Sequence, residues 1–325
     1  MHVQPLDLED RELLTTFVTS HPCGSIEQSW DWGELQTRIP GRPAFRVFGL
    51  FEDAALVGGM LVVRQVMGAG KSWLWSPGGP LLPTEAEEGW KLLSEAARNW
   101  ARVNGDVFLR VEPRMQAGAL RGKLVHERYV PQHTLVLDLR LSEAALLEQM
   151  TQKGRYNIKQ ATKNGVAVRE GSAKDLPSFY RLLRDTAGRD GFAVHSEDFY
   201  RDFLRLPGAK LYLASVNGAV VAGLLATYFG ETATYYFGAS SSADRESKAA
   251  YLLQWTAICE ARTAGYKSYD FLGIAPEGEP KHPLAGVTQF KTRFGGKRVS
   301  YISARVLVFR PVWWLVYRIA KVLRP

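Results

Sequence analysis

The chain has 325 residues, 46% of them apolar and 23% charged, with a formal charge of +8 at pH 7. That length and balance suit two ordinary globular domains and exclude a fibrous or disordered chain. The two cysteines, Cys23 and Cys259, belong to no C-x-x-C pair, which excludes a disulfide framework or zinc knuckle and fits a reducing cytoplasm.

The chain opens on "MHVQPLDLEDRELL", acidic and amphipathic, without the basic and then apolar regions of a signal peptide. No run reaches the roughly 18 apolar residues of a membrane span, so a cytoplasmic protein is expected. From Leu50, "LFEDAALVGGMLVVRQVMGAGKSWLWSPGGP" gives a polar turn, an apolar strand carrying Gly59, a second turn and an aromatic strand. A helical segment ending in "ARVNG" and a strand "DVFLRV" follow. His126 and His133 flank a proline in "HERYVPQH", a spacing unsuited to a helical metal pair; no metal site is expected. In "HTLVLDLRLSEAALLEQM" the first six residues or so alternate as a strand, and Ser142 opens an apolar-periodic helix. The first domain is expected to close there, at residues 1–150, with a second over 151–325.

"TQKGRYNIKQATKNGVAV" reads as a helix stopped at Asn164-Gly165. Arg155, Lys159 and Lys163 follow one another at steps of four along one face; a solvated stripe and an anion-binding one both remain open. From Ser215, "SVNGAVVAGLLATYFGETATYYFGASS" repeats the earlier hairpin, with Gly223 in place of Gly59. A helix ending in "ARTAG" and a strand "SYDFLGI" again follow. A period of about 160 residues is a duplicated domain rather than a solenoid. The order strand, strand, helix, strand predicts an α/β (α+β) protein of two tandem domains that resemble the acyl-CoA N-acyltransferase (GNAT-like) fold.

Acetyl-CoA enzymes of that fold carry a glycine-rich loop at a helix N-terminus to hold pyrophosphate. The corresponding connection in the second half, "SSSADRESKAAYLLQW", has no glycine. In the first half "SPGGPLLPTEAEEGW" interrupts its glycines with prolines and acids. A different acyl donor is therefore expected. No Walker loop, metal-ligand array or G-x-S-x-G elbow is present.

The charge is concentrated at the end. From Lys281 onward ten Lys and Arg meet no Asp or Glu, whereas the preceding residues hold 31 cations against 33 acids. Such a block suggests an anionic partner: RNA, phospholipid or a phosphorylated substrate. In "RVLVFRPVWWLVYRIAKVLRP", Pro311 opens a helix with Trp314, Tyr317 and Lys321 near one side. That pattern, with Arg310, Arg318 and Arg324, suits the headgroup region of an anionic membrane; a helix docked on its own domain is the alternative.

Taken in order, "QSWDWGELQ", "KGRYNIKQATKNGV", "RDGFAVHSEDFY", "YYFGASS", "AAYLLQWTAICEARTAGYKSYDFLGI" and "GVTQFKTRFGG" span most of the chain and together resemble the FemABX family of aminoacyl-tRNA-dependent transferases. The resemblance implies transfer of an amino acid from aminoacyl-tRNA to the stem-peptide amine of a peptidoglycan precursor, lipid II or UDP-MurNAc-pentapeptide. An ester donor is already activated, so no cofactor is expected. The Phe-Lys pair implies Lys291 as the catalytic cation and Phe290, with Arg293, Lys297 and Arg298, as contacts to the tRNA end. From the dipeptide alone, a core Phe at a strand end beside a solvent-facing Lys stays open. For the precursor the matching phrases imply Gln36, Arg38, Arg155, Tyr156, His195, Tyr200 and Tyr236. His195 stands where relatives often have Arg, and Gln36 where they tend to have Lys. With no room between "YYFGASS" and "AAYLLQW" for a coiled-coil arm, the chain resembles the compact, FemX-like branch. Glycine, alanine and serine all remain open as the donated residue. An aminoacyl-tRNA-protein transferase and a non-catalytic RNA or membrane adaptor are the competing readings.

Overall fold

The computed structural model describes residues 1–83, 87–118, 120–125 and 128–323. It divides into two compact units, residues 1–132 with 301–325, and residues 133–300. His126, Arg324 and residues 84–86 of the first strand-to-helix connection lie outside the described residues.

The first unit begins with β1 (His2–Leu6), α1 (Arg11–Ser20) and α2 (Trp30–Thr37). An antiparallel meander follows: β2 (Ala44–Glu52), β3 (Ala55–Gly68) and β4 (Lys71–Gly78). Helix α3 (Glu87–Asn104) then crosses to β5 (Phe108–Pro113), which lies parallel to β4, and to the short β6 (Lys123–Leu124). Trp90, Leu93, Ala97 and Ala101 recur at helical spacing and pack on Phe48, Leu50, Met60, Val62 and Leu109 of the sheet.

The second unit opens with β7 (His133–Asp138), α4 (Glu143–Gln149), α5 (Gln152–Lys163) and β8 (Ala167–Glu170). As the sequence predicts, the Ser142 hydroxyl caps α4 by accepting from the Ala145 N–H at 3.2 Å. Helix α5 stops where Gly165 takes φ +71°. Helices α6 (Leu176–Asp190) and α7 (Glu197–Phe203) lead into a second meander of β9 (Ala209–Val216), β10 (Ala219–Phe229) and β11 (Thr232–Ser240). Helix α8 (Ala249–Thr263) crosses to β12 (Ser268–Gly273), again parallel to the last meander strand. Helix α9 (Ala285–Lys291) and β13 (Lys297–Ser300) complete this unit. Then β14 (Arg305–Val308) and α10 (Pro311–Leu323) return to the first.

The sheets run β1-β2-β3-β4-β5-β14-β6 and β13-β7-β12-β11-β10-β9-β8. The duplicated hairpin is thus a duplicated sheet, with meander, crossover helix and parallel strand in each. No arm interrupts the second, because β11 ends at Ser240 and α8 begins at Ala249.

The division between units differs from the expected break after residue 150. Strand β7 pairs antiparallel with β12 and β13, so it and α4 belong to the second unit. Strand β14, from the far end of the chain, pairs with β5 and carries the basic, aromatic tail into the first unit. Each sheet therefore receives the strand beside its parallel pair from outside its own repeat. An alternating run such as "TLVLDL" serves either sheet equally well, and its ladder partner alone decides.

Candidate functional site

The two parallel pairs behave differently. In the first unit β4 and β5 stay in register from Leu74 with Leu109 to Gly78 with Pro113. In the second, β11 and β12 pair only from Thr232 with Ser268 to Thr234 with Asp270. Beyond that point β12 bends: Leu272 takes φ +58° and the register against β7 shifts between Asp270 and Gly273. The buried Asp270 secures the bend, its Oδ1 accepting from the Leu272 N–H at 2.7 Å and from the Thr134 hydroxyl. The β12-facing edge of β11 past Thr234 has no ladder partner among the described residues, and at its far end the Ser240 N–H donates to the Thr186 hydroxyl while the Ser240 carbonyl accepts from Arg189.

Lys291 enters this gap from the end of α9. The helix is tied to the segment after β12 by the Thr288 hydroxyl, which accepts from the Ala275 N–H at 2.7 Å. Lys291 is 6% exposed; its Nζ donates to the Gly273 carbonyl at 2.7 Å and lies 5.4 Å from the centre of the Tyr235 ring. Between Gly273 on one parted strand and Tyr235 on the other, the ammonium occupies the opening itself. Burial lowers its pKa from the usual 10.5 to about 8, against a smaller opposing effect of Asp270. Burial pushes the Tyr235 hydroxyl up to about 12, so the ring facing the ammonium stays neutral. A solvent-facing lysine at a strand end is therefore not what folds; Lys291 is a buried cation at a helix end.

The residues expected at the tRNA end spread from there. Phe290 is half-buried, edge-on to Tyr251 and Phe294 at 5.1 and 5.4 Å. It lines a cavity of about 180 Å³ at the start of α8 with Ser240, Ser241, Arg245, Lys248 and Tyr251. Lys248, at φ +60°, takes the N-cap position of α8, and its Nζ pairs with Glu246 at 3.1 Å. Arg293 contributes its carbonyl, which accepts from the Thr151 N–H at 3.0 Å. A Cβ at Gly154 would come within 2.5 Å of that carbonyl oxygen, so α5 approaches this closely only with glycine there. Lys297 is exposed on β13, and Arg298 donates to the Ala275 carbonyl at 3.0 Å.

Of the residues expected to meet the precursor, His195 just before α7, Tyr200 on α7 and Tyr236 on β11 share one aromatic cluster through Phe237. The Tyr200 hydroxyl accepts from the His195 N–H at 3.3 Å, and its ring meets Phe237 edge-on at 5.1 Å. Tyr236 packs on Phe203 at 5.3 Å. His195 is exposed, and Tyr200 is buried. Tyr156 is exposed on α5. Gln36 and Arg38 lie in the first unit: Gln36 is buried and accepts from Arg42, and Arg38 is exposed at the end of α2.

Arg155 has a distinct setting. Its Nη1 donates to the carbonyls of Leu147 and Glu148, at 3.2 and 3.3 Å, and of Met150, all at the C-terminal end of α4. A cation there satisfies carbonyls that a helix end leaves open and complements its dipole. Arg155→Ala is expected to destabilise the 133–300 unit by about 1–3 kcal/mol, read from its denaturation midpoint. An unchanged midpoint with a raised acceptor KM would instead mark Arg155 as a ligand contact.

The sequence did not single out Asp270, Tyr235 or Gly273, which frame Lys291. The signal for Asp270 was its place as a lone acid among apolar residues in "SYDFLGI". For Tyr235 it was masked by the adjacent Tyr236.

The sequence pattern of the FemAB family matches residues 120–220 and 215–322. A lipid II:glycine glycyltransferase of Staphylococcus saprophyticus is 21% identical over 89% of this chain and 88% of its own length. The crystal structure of FemX superposes with a TM-score of 0.85 at 17% identity, covering 98% of this chain and all of that one. A tandem GNAT protein from the clavulanic acid biosynthesis pathway gives 0.56 at 14% identity, over 95% of this chain and 99% of that one.

Proposed function

The chain belongs to the FemAB family and is an aminoacyltransferase, and from that premise we propose that it carries an amino acid from aminoacyl-tRNA to the stem-peptide side-chain amine of a peptidoglycan precursor. The precursor is lipid II or UDP-MurNAc-pentapeptide, and the product is the start of an interpeptide bridge. The observation that supports this best is the buried Lys291 ammonium in the gap between two parted parallel strands.

Aminoacyl transfer needs little beyond alignment and charge stabilisation, because the ester on the terminal ribose is already activated. The acceptor amine, as the free base, forms a C–N bond to the ester carbonyl carbon. Negative charge develops on the carbonyl oxygen, and the C–O bond to ribose then breaks. The amine loses a proton and the departing ribose oxygen gains one, leaving an amide and a free hydroxyl. Lys291 serves this sequence as a fixed cation beside the developing oxyanion and as the acid for the ribose oxygen. A pKa of about 8 keeps it mostly charged near neutrality, yet a readier acid than an ordinary lysine. Its hydrogen bond to Gly273 and its position over the Tyr235 face hold the charge in place before substrate arrives.

Phe290, beside the cavity at the start of α8, offers a ring for the terminal adenine, a contact worth roughly 1–3 kcal/mol per base. Arg293, Lys297 and Arg298 attract the phosphates that follow it. His195, Tyr200 and Tyr236, together with Gln36, Arg38, Arg155 and Tyr156, are assigned to the precursor's sugars and diphosphate. Of these, Tyr200 acts through the His195 backbone and Arg155 through the α4 end.

The test offers the purified protein glycyl-, alanyl- and seryl-tRNA with nucleotide-linked and lipid-linked precursors, followed by mass spectrometry. The expected product is a precursor heavier by one aminoacyl residue, formed only with charged tRNA. No gain with any combination would overturn the reading, and gain on a protein N-terminus instead would assign the chain to the protein-directed transferases.

A further inference from the structure

The exposed side of α10, in the first unit, presents a second feature. Trp314 and Tyr317 turn inward and meet Phe108 at 4.8 and 5.1 Å, so the aromatic side expected at the surface is docked on the first unit. The outward side is apolar as well. Val312, Leu315, Val316 and Ile319 recur at i, i+3, i+4 and i+7 and are between 47% and 74% exposed. Arg318 stands at one border of this stripe, its guanidinium 6.0 Å from the Trp314 ring, whereas Lys321 follows Tyr317 by one turn on the docked side, its Nζ 6.0 Å from that ring. No acid occurs anywhere from Lys281 to the end of the chain.

We infer that this face of α10 is a docking surface for an anionic lipid bilayer. The inference deepens the function proposed above and rests on it for its purpose, since a lipid-linked acceptor is presented at such a surface. A two-row aliphatic stripe bordered by Arg318, in a chain end that carries cations and no acid, is the chemistry of a helix lying at a headgroup boundary, with apolar side chains among the acyl chains and the guanidinium at the phosphates. A second copy of the chain fits less well. Two-fold pairing through the stripe would set Arg318 near its own equivalent. The stripe also offers four aliphatic side chains, where a stable dimer buries about 800 Å² per partner. RNA would reward the cations but not the aliphatic row. Among the described residues no helix is long and apolar enough to cross a membrane, so the contact is peripheral.

The test is sedimentation of the full-length protein with phosphatidylglycerol/phosphatidylcholine vesicles and with phosphatidylcholine vesicles alone. Wild type is expected to prefer the anionic vesicles, and Leu315→Glu/Ile319→Glu to weaken that binding by at least about tenfold. Transfer to the nucleotide-linked acceptor in solution should be unchanged in the same variant, because both side chains are exposed on the first unit and Lys291 is buried within the second. Arg318→Ser, which leaves the aliphatic row intact, is expected to weaken binding in low salt and to match wild type in high salt. Equal binding to both vesicle types, or unchanged binding by the double variant, would overturn the inference. So would a dimer in sedimentation that the double variant abolishes, since that assigns the stripe to a second copy. Wild type that ignores vesicles yet transfers in solution defeats this inference alone; vesicle binding without transfer to any acceptor defeats the functional reading.

Discussion

Lys291→Met is expected to lower the rate of aminoacyl transfer by at least about 10²–10³-fold, the loss typical when a preorganised group facing an oxyanion is removed. The fold should survive it. Burial of the Lys291 ammonium opposes folding, and the fall from 10.5 to about 8 corresponds to roughly 3 kcal/mol of unfavourable interaction with the charged form. A methionine removes that cost and fills similar volume, while leaving the Gly273 carbonyl without its donor at a penalty of about 1–3 kcal/mol. The two effects nearly offset, so the melting temperature should move by no more than a few degrees. Affinity for deacylated tRNA should also persist, since the proposed contact of Lys291 is to the aminoacyl ester, which deacylated tRNA lacks, and nine other cations from Lys281 onward remain to attract phosphates. A variant that transfers at full rate would remove Lys291 from the mechanism. One that simply unfolds would make it a structural residue.

The second large effect concerns stability. Trp314 is buried, edge-on to Phe108 and stacked on Tyr317 at 5.6 Å; Phe108 stacks on Trp73 at 5.0 Å. Arg110, fully buried, lies over both Trp73 and Tyr129, at 5.4 and 5.1 Å. Helix α10 thus closes an aromatic stack that begins in the first sheet. Trp314→Ala should cost about 3–5 kcal/mol and lower the melting temperature of the first unit by on the order of 10 °C. A change below about 1 kcal/mol would mean that α10 rests on the surface without closing the core. For the same reason, truncating the tail is a poor probe of membrane contact, because it removes the stack along with the exposed stripe.

Much of the architecture was legible because it depends on local pattern. The two hairpins, their glycines and the matched helix endings at Ala101 and Ala261 announce a duplicated unit, and Ser142 and Gly165 mark helix ends through their own chemistry. The exchange of β7 and β14 was not legible. Sheet membership is a choice of ladder partner, and an alternating strand carries no record of which partner it meets. The site divided in the same way. Phe290-Lys291 stood out through the ordered motifs, but its burial depends on Asp270 bending β12 and on Tyr235 standing across the gap, neither of which is near it in sequence. The stripe of Arg155, Lys159 and Lys163 looked uniform; the structure separates it, with Arg155 capping α4 and the two lysines exposed.

The mechanism proposed for transfer requires the charged form of a buried Lys291. It is tested most directly by the single-turnover rate against pH, with both substrates bound. At low pH the acceptor amine is protonated and the rate should climb as that proton leaves. Lys291 holds its proton below about 8 and loses it above, so the rise should level off there, further gain in free amine being offset by loss of the ammonium, and the rate should fall only once the acceptor amine is itself titrated at ~10.4. A rate that keeps climbing past about 8 to about pH 10, or the same levelling at about 8 in Lys291→Met, would contradict it.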